Sequence, residues 1–217
     1  MRYIRKGDEP ESLANLKALA NEDWKPTYED DCRGEVKTQL HKALLQEQGY
    51  ICCYCGMAIT KENSHIEHFK PRSIYPKLAL EYKNLLASCQ RDREPREPQH
   101  CGVKKDDWYD EQLMVSPLDE NCADCFRYAA SGEILPTDAP DKEEAAQTTI
   151  EKLGLSIAKL RLMRSAAIDG ALLAIEGLTD EEKLLFAQGY DKPNANGEYE
   201  EFCTAITYIL TQYFIEA

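Results

Sequence analysis

Apolar residues recur at helical spacing at both ends of the chain, and the rhythm breaks only in the middle. Leu13, Leu16 and Leu19 predict a short helix from Glu11 to about Asn21. Val36, Leu40, Ala43 and Leu44 predict a stronger one over 36–48, with Gly49 ending it. Past residue 142, Ile150, Leu153, Ile157, Leu160 and Arg161 predict one long amphipathic helix running to about Gly177. Thr179 and Glu182 stand as a capping box opening a short helix. Phe202, Ala205, Ile206, Ile209, Leu210 and Tyr213 mark a last helix.

The middle reads differently. Tyr50 to Gly56 is aromatic, β-branched and cysteine-rich, which suits a strand and a metal knuckle. Ser64 to Phe69 predicts a second strand, closed by Pro71. Gln90 to Gln99 is a charged, proline-broken loop, and the turn signals of 107–141 predict irregular structure or a short hairpin. No repeat of 20–50 residues is present. The expected class is α+β, mainly α: a helical lead-in over 1–49, a core over 50–110, and a helical region over 111–217 that could dock a partner.

Composition narrows the setting. At 217 residues the chain makes one sizeable domain or two small ones. No apolar run approaches the roughly 18 residues of a membrane span, and the opening Met1 to Asp8 lacks the apolar centre of a signal peptide. A cytoplasmic protein is expected, with no membrane partner. Nine cysteines in that compartment point to metal binding rather than disulfides. Net charge is −13, but residues 61–105 hold ten basic and six acidic residues, leaving 16 basic against 33 acidic elsewhere. A basic island thus sits in an acidic body. Such a body weakens unguided binding to nucleic acid, so a partner or a restricted substrate is expected.

The island carries the chemistry. Cys52-x-x-Cys55 has the spacing of half a zinc clamp, with Cys89 and Cys101 as the expected other half and Cys122-x-x-Cys125 as a rival pair. Four thiolates around Zn²⁺ would staple a substructure too small to fold alone. Cys32, Cys53 and Cys203 read as ordinary thiols, and His41 as structural. Inside the staple, His68 is the expected general base, because imidazole titrates near neutral pH. Glu67 could hold a hard divalent cation, if the strand ends or twists there, and Asn84 could orient a loop or the base. Lys70, Arg72, Lys104 and Lys105 are the cations expected to grip phosphates. His65 is equally readable as structural or catalytic, and His100 could ligate either metal.

Cys52-x-x-Cys55-Gly56, Ile66-Glu67-His68-Phe69-x-Pro71-x-Ser73, Asn84-Leu85-Leu86-x-x-Cys89 and Cys101-Gly102-x-Lys104-Lys105 together resemble an HNH endonuclease. The run from His100 to Lys105 and the opening Arg2-Tyr3-Ile4-Arg5-Lys6 are similar to the nuclease subunit of Septu-type and retron-associated anti-phage systems. The resemblance implies a zinc-stapled ββα-metal core of the His-Me finger kind, holding Mg²⁺ or Mn²⁺. His68 then activates water, Glu67 binds the cation and Asn84 is the middle signature residue. The third signature residue usually follows the last zinc cysteine, where this chain has Gly102; His100, Asp106 or Asp107 could take its part. The resemblance also implies a partner ATPase, and in retrons a reverse transcriptase with its DNA–RNA product. A zinc-stapled binding module without catalysis would leave Glu67, His68 and Asn84 unexplained. A thiol oxidoreductase built on Cys52 and Cys55 would need a thioredoxin-like alternation of strands and helices, which is absent.

Overall fold

A computed structural model describes residues 1–91 and 95–214. Residues 92–94 of the charged loop and the side chain of Tyr213 lie outside the described residues. Helix α1 (Glu11–Ala18) buries Leu13 and Leu16, and α2 (Gly34–Glu47) buries Leu40, Leu44 and Leu45. The first stops short of the expected Asn21. Leu19 and Ala20 donate their N–H groups three residues back, which tightens the last turn and leaves the Leu19 side chain exposed.

The expected strand over Tyr50–Gly56 does not form. The Cys52 N–H bonds to the Met57 carbonyl and the Gly56 N–H to the Cys52 carbonyl, curling the segment into a knuckle with a single bridge, Ile51 to Ala58. The second expected strand is present as β1 (Ser64–His68). Its antiparallel partner is β2 (Leu85–Cys89), fully buried, with Glu67 opposite Leu86 and His68 opposite Leu85. A short helix, α3 (Cys101–Lys105), follows and packs against β2. Gln48, at the end of α2, clamps this region. Its Nε2 donates to the Ile51 and Ala87 carbonyls, and its Oε1 accepts from the Ala87 N–H at 2.7 Å.

The 107–141 stretch contains a hairpin, β3 (Phe126–Tyr128) with β4 (Ile134–Pro136). The single long helix expected beyond residue 142 is two helices, α4 (Glu143–Leu153) and α5 (Ala158–Ala174). Gly154 separates them at φ +61°, a left-handed conformation that glycine adopts without steric cost. The break turns Leu153, Leu155 and Leu160 all inward. Helix α6 (Asp180–Gly189) opens on the Thr179–Glu182 capping box, and α7 (Cys203–Phe214) buries Ile206, Ile209 and Leu210. One apolar cluster joins Met1, Leu40, Leu85, Leu153 and Ile206. The chain's first residues belong to it: the Met1 ammonium donates to the Tyr128 hydroxyl at 2.7 Å, and Lys6 Nζ to the Leu85 carbonyl at 3.0 Å. Among the described residues no helix is long and apolar enough to cross a membrane.

Candidate active site

The knuckle, the end of β2 and the start of α3 bring four sulfurs together. The ligand atoms of Cys52, Cys55, Cys89 and Cys101 lie within 4.8 Å of one another, and all four residues are buried. None of the cysteines is in a disulfide. Tetrahedral zinc with Zn–S bonds near 2.3 Å separates its sulfurs by roughly 3.8 Å, and Cys55 Sγ stands 3.9 Å from Cys89 Sγ. The cluster therefore fits a structural zinc ion. The Cys89 N–H points at Cys52 Sγ at 3.5 Å. Cys122 and Cys125 lie in a 3-10 turn ahead of β3, outside the cluster.

His100 is drawn to this cluster. Its Nδ1 stands 3.2 Å from Cys101 Sγ and 3.6 Å from Cys89 Sγ, and the residue is not among those lining the cleft around Glu67. Lys105 is likewise reassigned. Its side chain is buried rather than facing solvent, with Nζ 2.9 Å from Glu67 Oε1 and donating to the His68 carbonyl at 3.1 Å. That ammonium faces a buried carboxylate rather than the cleft wall.

Glu67 is almost wholly buried. Its Oε1 accepts from the Tyr54 hydroxyl at 3.2 Å as well as facing Lys105, while Oε2 lies 3.4 Å from His65 Nε2. Burial opposes the carboxylate charge, but His65 and Lys105 outweigh it and hold the group below the usual carboxylate range. His65 and Glu67 are two apart on β1 and so share a face. That period-two relation was the available signal for pairing them.

His68 faces the other way across the strand. Its Nε2 lies 3.0 Å from the Ala79 carbonyl, which can only accept, so this nitrogen carries the proton and Nδ1 carries the lone pair. Tyr28 packs edge-on against the ring at 4.5 Å. Burial, with Arg72 nearby, pushes the imidazole below its ordinary pKa and favours the neutral ring. Asn84 sets up the acceptor. Its Oδ1 accepts from the Lys70 N–H at 2.8 Å, and its Nδ2 donates to the carbonyls of Lys70 and Leu78, the residue before Ala79. It thereby closes the loop between the strands.

Both faces of β1 reach one cleft, for among the described residues β1 pairs only with β2 and leaves its other edge without a strand. The cleft, about 580 Å³, is lined by every residue of β1 and by Arg72, Gly102, Asp106 and Asp107. Lys37, Lys61 and Arg91 add positive charge to its walls, three cations that spacing alone did not single out. Arg72 also bridges to Glu29 at 2.9 Å. Lys70 sits outside the lining, over the rings of Tyr75 and Tyr109, and exposed Lys104 lies against Gly154. His41 lines the cleft but is engaged structurally, donating from Nε2 to Ser64 Oγ at 2.9 Å, since that hydroxyl is itself spent on the Thr60 carbonyl.

No family model matches the chain. Three relatives do. A Vibrio cholerae protein named for an HNH endonuclease of retron Vc95 is 33% identical over 139 residues, 62% of this chain and 65% of its own length. The Septu protein PtuB of Bacillus thuringiensis is 28% identical over 210 residues, 92% of this chain and 72% of its own. An Escherichia coli protein named for an HNH endonuclease of retron Ec83 is 37% identical over 101 residues, 41% of this chain but only 37% of its own length. The chain thus spans just under two thirds of the first of these proteins and little more than a third of the last. The chain is a relative of proteins named as retron HNH endonucleases and of the Septu protein PtuB.

Proposed function

We propose that this chain is a metal-dependent HNH endonuclease that hydrolyses phosphodiester bonds of nucleic acid. DNA is the default substrate, with a folded RNA such as a tRNA as the alternative. The observation that carries the reading is His68: a neutral imidazole in a cleft, its Nε2–H committed to the Ala79 carbonyl and its Nδ1 lone pair left for a water proton. In this reading β1, β2 and α3 are the ββα-metal core, and zinc at the four cysteines holds the helix to the hairpin. Water gives its proton to His68 Nδ1 as its oxygen attacks phosphorus. The bond from phosphorus to the leaving oxygen breaks, and that oxygen is protonated from solvent. A divalent cation such as Mg²⁺ or Mn²⁺ beside Glu67 would neutralise charge on the phosphate and the departing oxygen. Arg72, Lys61 and Arg91 flank the cleft and would guide the phosphate backbone.

The relatives' names support a place in anti-phage defence. The chain would act as the effector of a cytoplasmic complex with a partner ATPase, and with a reverse transcriptase and its DNA–RNA product where the system is a retron. Leu162, Leu173 and Leu185 stand exposed on α5 and α6 and support the C-terminal helices as the docking surface. The test is cleavage of plasmid DNA and total RNA in Mg²⁺ or Mn²⁺, with and without the co-encoded partner. His68→Ala is expected to lower cleavage at least about 10²-fold with the fold intact. Equal cleavage by the variant would refute the base.

A further inference from the structure

We infer that His65, together with Glu67, forms the binding site for the catalytic divalent cation, and that Gly102 is glycine to leave it room. The inference rests on the nuclease reading for its purpose, but its argument is steric. Gly102 lies in α3 at an ordinary backbone angle, where alanine would be the better helix former. The backbone does not ask for glycine; the space does. A Cβ built there falls 2.4 Å from Glu67 Oε2 and 2.8 Å from His65 Nε2, closer than real side chains approach. Both ligand-type atoms therefore crowd the one spot that the missing side chain leaves open.

Their spacing is loose for a hydrogen bond and leaves both atoms within reach of one shared ion. His65 Nε2 and Glu67 Oε2 are 3.4 Å apart, beyond the usual 2.7–3.2 Å of an N–H···O bond. Two neighbouring ligands on an octahedral cation, each near 2.1 Å from it, stand roughly 3 Å apart. The two oxygens of Glu67 also have separate duties. Oε1 is held by Tyr54 and Lys105, and that anchoring presents Oε2 to the cleft beside the imidazole. His65 is about a quarter exposed, so the site is open to an ion and to the substrate. Two protein ligands are few for a structural ion. They are enough for Mg²⁺ or Mn²⁺, which keep several waters and take phosphate oxygens as ligands.

The experiment is titration of the zinc-loaded protein with Mn²⁺, read by electron paramagnetic resonance of the free ion and by calorimetry, with zinc content checked throughout. Wild type is expected to bind one Mn²⁺. His65→Ala and Gly102→Ala are each expected to weaken it at least about 10-fold, no less than is lost when a ligand's outer partner is removed. His68→Ala should bind Mn²⁺ as wild type does while failing to cleave, which separates this site from the base. Unchanged Mn²⁺ affinity in His65→Ala, with affinity lost in Glu67→Gln, would overturn the role of His65 and leave the nuclease reading standing. Gly102→Ala with wild-type affinity would overturn the steric argument.

Discussion

Replacing Lys105 with methionine tests whether that ammonium is a structural counter-ion or a phosphate grip. At 2.9 Å from Glu67 Oε1, and with an effective dielectric of about 20, the attraction is about 6 kcal/mol. Desolvating two buried ions consumes much of that. The loss on removing one partner is therefore the stranding of the other charge, typically about 3–5 kcal/mol. Glu67 keeps Tyr54 and His65 and can take up a proton, so Lys105→Met should fall at the lower end, near 3 kcal/mol. Urea unfolding of zinc-saturated protein should show a lower midpoint with an unchanged slope. Adding Glu67→Gln should restore more than half of the loss, because no charge is then left unpaired. A loss below about 1 kcal/mol, accompanied by a raised KM for nucleic acid, would refute the reasoning and return Lys105 to the phosphate.

Two further outcomes follow from the same geometry. Cys89→Ser should abolish zinc retention, measured by elemental analysis, and lower Tm by about 10 °C or more because the metal's binding energy is folding energy; Cys125→Ser should change neither, and a zinc-replete Cys89→Ser protein would remove the staple. His41 is pushed down to about 4 by burial first and then by Arg91, His65, Lys61 and Lys37. The unfolded chain binds its proton near 6.5, so stability falls as pH drops from there toward 4, by at most about 3 kcal/mol. His41→Gln should flatten that part of the urea-midpoint profile, and a profile of unchanged steepness would count against the buried neutral ring.

Local chemistry written into the sequence accounts for much of the fold. The apolar spacing of α2 and α7, the capping box of α6 and the strand at Ser64–His68 are short-range patterns, and each formed where spacing placed it. The Cys-x-x-Cys knuckle and its downstream cysteines were equally legible, since a metal demands particular atoms in number. Other outcomes needed the third dimension. Gly154 splits a periodic run because a left-handed turn lets Leu155 pack inward, a gain that periodicity cannot register. Lys105 looks like a surface cation beside Lys104, yet it is buried by a carboxylate 38 positions upstream. His100 could by sequence serve either metal, and packing faces it to two sulfurs of the zinc-type cluster. The pairing of His65 with Glu67 in the gap above Gly102 joins a strand to a helix some 35 residues later. Sequence patterns determine which groups a segment offers and which face it buries; only packing between segments decides which charges meet, and burial then makes those meetings strong.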